Sequence, residues 1–419
     1  MSIQKPKGTQ DLLPGEVEKW QYLESKAREL CRRFNYNEIR TPIFEHTELF
    51  SRGVGETTDI VEKEMYTFLD KGDRSVSLRP EGTAGVVRAY VENKIYGEPD
   101  VSKLYYVGPM FRYEQPQAGR YRQFHQFGIE AFGSVDPSID AEVIALGYTF
   151  YKEIGLKEVT VEINSVGTPS VRTAYREKLQ EFFAPVKDQL CKDCQSRYDR
   201  NPMRILDCKK DQKFGEDAPN ILQYLDEECQ THFESLQEHL QGMGVPFRIN
   251  PRLVRGLDYY THTAFEYKAA GIGAIDTIGG GGRYNGLVEQ IGGNDQPGVG
   301  LGLGLERILL VLQAQGVEVP KPQPLDVYLI GLGDAAEKEV TKLLHQLRLQ
   351  GIAAEKDYLG RKMKAKMKSA DRLQATYVAI LGDDELARNE ITLKKMETGD
   401  QVTVSLADLT ANAAKTLFA

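Results

Sequence analysis

Apolar positions along this chain keep two rhythms, one of helical period and one strictly alternating, and the switches between them outline its elements. Residues 17–34 carry Trp20, Leu23, Ala27, Leu30, Cys31 and Phe34 at helical spacing, and residues 37–42 read as a strand stopped by Pro42. Residues 65–69 and 76–78 form a predicted hairpin around residues 70–74. LRPEGT at residues 78–83 reads as a strand, a turn at Pro80 and Gly82, and the start of a helix. That reading sets Glu81 and Thr83 at the mouth of a helix N-terminus, whose free N–H groups suit an anionic ligand. Residues 104–113 and 121–132 alternate on either side of a turn rich in Gln, Pro and Gly, the signature of a second hairpin. Asp136-Pro137 and Thr168-Pro169 each place a capping side chain before a proline at the first helical position. The first opens a helix with a stripe of Ile139, Val143, Leu146, Phe150 and Ile154, the second a helix carrying Val171, Tyr175, Leu179 and Phe182. A short strand at 159–163 separates them.

From 168 to 245 strand character is scarce, which predicts a helix-rich insertion into a mainly β unit spanning residues 1–167 and 246–320. Strands return at 248–253, 255–267 and 274–278, followed by four glycines at 279–282. Residues 298–304 then lead into a helix with Leu305, Ile308, Leu309 and Leu312. VPKPQP at 319–324 is a stiff linker. Beyond it, over residues 325–419, strand and helix alternate and a final strand pair closes the chain, which predicts a small α/β domain with a largely parallel sheet.

The second hairpin carries the most chemistry. Alternate side chains of a strand share a face. Phe124, Gln126, Gly128 and Glu130 therefore stand together, opposite Gln123, His125, Phe127, Ile129 and Ala131, and the first strand sets Arg112 and Glu114 on one face. A ring, an amide, a carboxylate and an arginine, with a glycine leaving room between them, make a ligand floor. Arg112, Arg120, Arg255 and Arg307 each sit beside glycines or aromatics without a paired acid. Guanidinium forks match phosphate oxygens and keep their charge, so the set points to a nucleotide with a phosphate tail.

Composition narrows the picture without redirecting it. The 419 residues, 41% hydrophobic and 27% charged, suit a soluble globular protein of two to three domains. A net charge of −8 argues against a generic nucleic-acid binder, but residues 326–419 hold 14 basic and 14 acidic residues, so the whole deficit lies upstream. Within that neutral tail, RKMKAKMK at 361–368 reads either as a solvated helix face or as a phosphate-contacting patch. The first residues lack the apolar core of a secretory signal, no apolar run approaches the roughly 18 residues of a membrane span, and the cysteines are odd in number. A cytoplasmic protein without membrane association is expected.

Several chemistries are excluded. No G-x-x-x-x-G-K-[ST] is present, and the glycines at 298, 300, 302 and 304 do not fit G-x-G-x-x-G, because Leu305 takes the last glycine's place. No Ser-His-Asp or Cys-His nucleophile stands out. Cys191-x-x-Cys194 and Cys208 would supply three ligands to a structural zinc, but Cys229 or His232 as the fourth falls at no standard spacing. Reduced structural thiols and no metal are the expectation.

The residues also carry a resemblance. RTPIFEHTE at 40–48, with Pro42, resembles motif 1 of class II aminoacyl-tRNA synthetases; residues 110–114 through Glu130 resemble motif 2, and GLER at 304–307 resembles motif 3. LVRGLDYY at 253–260 and GGGGRY at 279–284 are similar to two segments peculiar to the histidine-specific enzymes. Along essentially its whole length the chain resembles the histidyl-tRNA synthetase family. The resemblance implies an α+β catalytic domain built on a mainly antiparallel sheet, a helical insertion over the acceptor stem, and a C-terminal α/β domain that binds the anticodon and makes RKMKAKMK a candidate RNA-facing patch. It implies a homodimer formed through motif 1. Its implied activity is ATP- and Mg²⁺-dependent activation of histidine to the adenylate, then transfer to the 3′ end of tRNA(His). Histidine binding would fall to Glu81, Gly82, Thr83, Gln126, Glu130, Tyr259 and Tyr260, with Glu81 and Thr83 on the α-amino group and Glu130 and Tyr260 on the imidazole. Arg112 would grip the α-phosphate, Glu114 the adenine amino group, and Phe124 would stack on the ring. Arg120 and Arg307 would bind the outer phosphates, and Arg255 would be catalytic, opposite Arg112. A regulatory paralogue of the ATP phosphoribosyltransferase type shares the catalytic fold but generally lacks the anticodon domain; the intact LVRGLDYY and the α/β tail argue against it.

Overall fold

Eight strands form the sheet on which the first part of the chain is built: β1 (Asn37–Glu38), β2 (Ser102–Phe111), β3 (Gln123–Phe132), β4 (Val159–Ser165), β5 (Phe247–Ile249), β6 (Thr261–Ala269), β7 (Thr277–Arg283) and β8 (Gly298–Gly304). Their order is β1-β2-β3-β8-β7-β6-β4-β5. All neighbours are antiparallel except the two edge pairs, which are parallel. The computed structural model describes residues 3–56, 58–97, 100–270, 276–320 and 324–418. They divide into two units, Met1–Pro320 and Lys321–Ala419.

The alternation in β3 sets the site. Phe127, Ile129 and Ala131 enter a core shared with Val143, Leu146 and Phe150 of the helix Pro137–Glu153. Burying each large side chain contributes about 1.5–3 kcal/mol, and a slip of one residue would turn all of them outward. That burial commits Phe124, Gln126, Gly128 and Glu130 to the opposite face. The helices Val17–Arg33 and Glu227–Gly242 complete the same core. Both proline-preceded caps form as read: Asp136 accepts from the Ser138 N–H, and Thr168 from the Val171 N–H.

The four glycines at 279–282 lie inside β7. The neighbouring strands press so closely that a Cβ on Gly280 or Gly282 would collide with a carbonyl of β6, and one on Gly281 with the Gly300 carbonyl of β8. Glycine here answers close backbone approach within a strand. Residues 298–304, read as the approach to a helix, are the central strand β8.

Other expectations are corrected. The strand at 37–42 is only β1, and that at 248–253 shortens to β5. Arg255 to Tyr260 form a loop before β6 rather than a strand: Arg255 turns to Glu266 while Tyr259 and Tyr260 pack against each other. Arg112 and Glu114 lie past the end of β2, although the Arg112 N–H still bonds the Arg122 carbonyl at 2.9 Å. Residues 274 and 275 of the expected strand, and 321–323 of the linker, lie outside the described residues. Between β4 and β5 the described residues hold helices and turns but no strand.

The second unit is a five-stranded sheet of β9 (Val327–Leu332), β10 (Ala354–Lys356), β11 (Tyr377–Gly382), β12 (Glu390–Lys395) and β13 (Gln401–Ser405). Its order is β10-β9-β11-β12-β13, with the first three parallel and the rest antiparallel. The helices Asp334–Leu349 and Met363–Arg372 connect the parallel strands. RKMKAKMK is not uniformly a surface patch: Lys366 is buried, donating to the Gly331 carbonyl at 3.0 Å, and Arg361 pairs with Asp357. Lys362, Lys364 and Lys368 stay exposed. Among the described residues no helix is long and apolar enough to cross a membrane.

Arg283, at the end of β7, is 1% exposed and paired with the fully buried Asp140, and it also donates to the Ser134 carbonyl at 2.8 Å. Asp140→Ala leaves that guanidinium without its charge partner. Its expected cost is about 3–5 kcal/mol, seen as a lower urea midpoint by circular dichroism. Arg248→Ala, which breaks an ion pair to Glu162 whose arginine is 65% exposed, moves the midpoint by about 0–1 kcal/mol at most.

Candidate active site

A cleft of about 810 Å³ opens over β3, β7 and β8. Its floor is Phe124, Gln126 and the glycines 279, 280, 302 and 304, which leave no side chains to block it. Arg112, Glu114, Arg120, Arg255 and Arg307 stand around it. Arg112 donates from Nε to the Pro80 carbonyl at 2.9 Å, and its guanidinium lies 5.4 Å from the centre of the Phe124 ring. Arg307 donates from Nη1 to the Thr277 carbonyl at 2.9 Å.

The reading of arginines without paired acids holds only for these two. Arg255 pairs with Glu266, and Arg120 lies 3.4 Å from the Glu114 carboxylate. Glu266 also accepts from Lys268 and from the Thr277 hydroxyl, each at 3.0 Å. Burial opposes its charge, yet Arg255 and Lys268 hold its carboxyl below the ordinary value. Sequence reasoning missed Glu266, although the alternation of Glu266 and Lys268 in β6 was a usable signal. It also missed Glu306, whose carboxylate accepts the His125 N–H at 3.0 Å and so ties the helix Leu305–Ala314 to β3. Nothing in sequence spacing links residues 125 and 306.

A second group lies packed beside the cleft. Glu130 has no exposed surface; it accepts from the hydroxyls of Thr83 at 2.7 Å, Tyr106 at 3.4 Å, and Tyr284. Glu81, also buried, accepts from the backbone N–H groups of Thr83 and Ala84, both at 2.8 Å. This corrects the expectation of a free helix N-terminus: the chain's own carboxylate closes it. The Tyr259 ring lies tilted against Tyr260 at 4.7 Å and edge-to-face with Tyr284 at 5.6 Å, ring centre to ring centre. The Tyr260 ring, 5.9 Å from the Arg255 guanidinium, links this group to the cleft. Gly82 and Gly128 make space for the Tyr106 ring, and Gly300 makes space for the Glu130 carboxylate. Burial raises the pKa of Glu81 and pushes that of Glu130 up to about 8.

A mainly antiparallel sheet whose open face gathers arginines around an aromatic ring, with a separate α/β unit following, is the architecture of a class II aminoacyl-tRNA synthetase. Residues 8–308 match the histidyl-tRNA synthetase family, and residues 326–416 match an anticodon binding domain. The histidine–tRNA ligase of Bacillus cytotoxicus is 58% identical over 411 residues, and that of Anoxybacillus flavithermus 59%, each alignment covering 97% of both chains. The crystal structure of apo S. aureus histidyl-tRNA synthetase is similar with a TM-score of 0.85 at 47% identity, covering 98% of this chain and 99% of that one. The chain belongs to the histidyl-tRNA synthetase family.

Because Glu130 holds a proton in the folded protein that the unfolded chain releases above its ordinary value of 4.5, unfolding frees a proton between pH 4.5 and about 8. The stability this group contributes is full below that window and is lost as pH rises through it. The urea midpoint is expected to fall between about pH 4.5 and about pH 8, and Glu130→Gln to flatten that fall. An unchanged pH slope in the variant contradicts the assignment.

Proposed function

We propose that the cleft and the buried cluster beside it are the two halves of one site that activates histidine. As a histidine–tRNA ligase, the chain joins histidine to ATP, forming histidyl-adenylate and releasing pyrophosphate, and then transfers histidine to tRNA(His). In the first step a carboxylate oxygen of histidine bonds to the α-phosphorus and the bond to pyrophosphate breaks. In the second, the terminal ribose hydroxyl of the tRNA attacks the adenylate carbonyl, loses its proton and expels AMP. The substrates supply both nucleophiles. What the protein must provide is in-line positioning and positive charge where charge accumulates.

The observation that carries this reading is the convergence of four guanidinium groups over a glycine floor beside the Phe124 ring. In it, Arg112 and Arg255 grip the α-phosphate from opposite sides. Arg120 and Arg307 take the outer phosphates of ATP, which arrives as its Mg²⁺ complex. Adenine stacks on Phe124, and its amino group meets Glu114. Glu81, Gly82 and Thr83 hold the α-amino group of histidine, and Gln126 orients the amino acid. Glu130, Tyr259 and Tyr260 read the imidazole. A site built to hydrogen-bond a polar side chain strongly rejects an analogue that cannot make those bonds.

The remaining assignments belong to the same reading. Phe44 and Phe68 share one face of the small sheet formed by Phe44–His46, Ser75–Leu78 and Thr67–Leu69, and they are 58% and 49% exposed. That apolar face supports a homodimer through the segment similar to motif 1. The insertion at 168–245 closes over the acceptor stem, the second unit binds the anticodon, and the protein works in the cytoplasm apart from membranes. The match to an anticodon binding domain speaks against the regulatory-paralogue alternative.

Arg255→Ala is expected to lower histidine-dependent ATP–pyrophosphate exchange about 10²–10³-fold. Lys268 and Thr277 remain to satisfy Glu266, so the fold should survive. Exchange at the wild-type rate in the folded variant overturns the role given to Arg255.

A further inference from the structure

Outside the cleft chemistry, the insertion gathers Cys191, Cys194, Cys208 and Asp211 so that their donor atoms all lie within 4.8 Å of one another. Neither of the fourth ligands considered from sequence belongs to this group. Cys229 follows the Asp226 cap of its own helix, and His232 lies 3.8 Å from Asp140. The missing partner is a carboxylate, and its spacing is regular: Cys191-x-x-Cys194 is answered by Cys208-x-x-Asp211. Two segments of equal spacing, one at the start of the helix Lys192–Arg200 and one in a turn, thus offer two donors each, the pattern of a zinc knuckle with one thiolate replaced by oxygen.

The geometry agrees with a bound ion. Cys191 Sγ lies 3.8 Å from Cys208 Sγ, far beyond a disulfide bond of about 2.05 Å. Zinc–sulfur bonds of about 2.3 Å at the tetrahedral angle put two sulfurs about 3.8 Å apart. Cys194 is fully buried and Asp211 is 4% exposed. The Asp211 Oδ2 already accepts the Cys191 N–H at 3.0 Å, which joins the two segments. Thiols alone are weak donors to such a carboxylate, whereas a dication satisfies thiolates and carboxylate together. Lys192, Lys209 and Lys210 flank the four ligands in sequence and moderate the negative charge of the set.

We propose that Cys191, Cys194, Cys208 and Asp211 bind one structural Zn²⁺. The ion staples the small core of the insertion, where Cys194 packs with Tyr175, Leu179 and Ile205. It also fixes a wall of the nucleotide cleft, because Cys191, Cys208, Lys209 and Lys210 line that cleft.

The test uses the full-length protein, purified reduced, without a metal-affinity tag or chelator. Elemental analysis is expected to find about one zinc per chain, released when a mercurial titrates the thiols. Cys208→Ser should lose the metal. Asp211→Cys, which completes a four-thiolate set, should keep it and yield it more slowly to a chelator. The Co²⁺-loaded wild type should show thiolate charge-transfer and tetrahedral visible bands that shift in Asp211→Cys. A folded, reduced wild type that holds no zinc and takes up none from added Zn²⁺ overturns the proposal. So does a Cys191–Cys208 disulfide in its place, or a zinc content unchanged in Cys208→Ser.

Discussion

A carboxylate with no exposed surface in the middle of a sheet is the constraint around which this catalytic unit is arranged. Taking Glu130 out of water costs several kcal/mol unless its oxygens are satisfied. Thr83, Tyr106 and Tyr284 bring hydroxyl donors from a helix, a neighbouring strand and the end of β7. Each donor needs room. Gly82 and Gly128 clear space for the Tyr106 ring, and Gly300 on β8, opposite Glu130 in register, clears space for the carboxylate itself. Gly128 and Gly300 of the sheet thus follow from accommodating one acid.

The same sheet face then divides by solvation. At the buried end, desolvation raises the pKa of Glu81 and pushes that of Glu130 up to about 8. At the open end, guanidinium groups are held over glycines by backbone carbonyls at Pro80 and Thr277 and by the Glu266 carboxylate. Cations fixed in place before the substrate arrives need not reorganise as negative charge develops, which is where such stabilisation is strongest. A buried polar cluster and a cationic cleft thus lie on consecutive stretches of one floor.

What the sequence made legible was local. The faces of β3, the Asp136-Pro137 and Thr168-Pro169 caps, and the strand–helix alternation after residue 325 all express short-range periodicity or backbone preference. The arginines at 112, 120, 255 and 307 have no common spacing; their glycine and aromatic neighbours marked them out, and the roles proposed for them come from resemblance alone. Features set by tertiary contact were hidden. Glu81 closes its own helix, residues 255–260 form a loop where a strand was expected, and Glu306 finds His125 across 181 residues. Asp211 escaped because only cysteine and histidine were weighed as ligands, although its place three residues after Cys208 stood in plain view.

The central claim is that Glu130 selects the amino acid while the arginine cleft handles the nucleotide. ATP–pyrophosphate exchange, measured with each amino acid in turn on the wild type and on Glu130→Gln, tests it most directly. Exchange with histidine alone in the wild type, lost in the variant while ATP still binds, is the predicted result. Wild-type exchange with histidine by Glu130→Gln, or exchange driven equally well by other amino acids in the wild type, would contradict it.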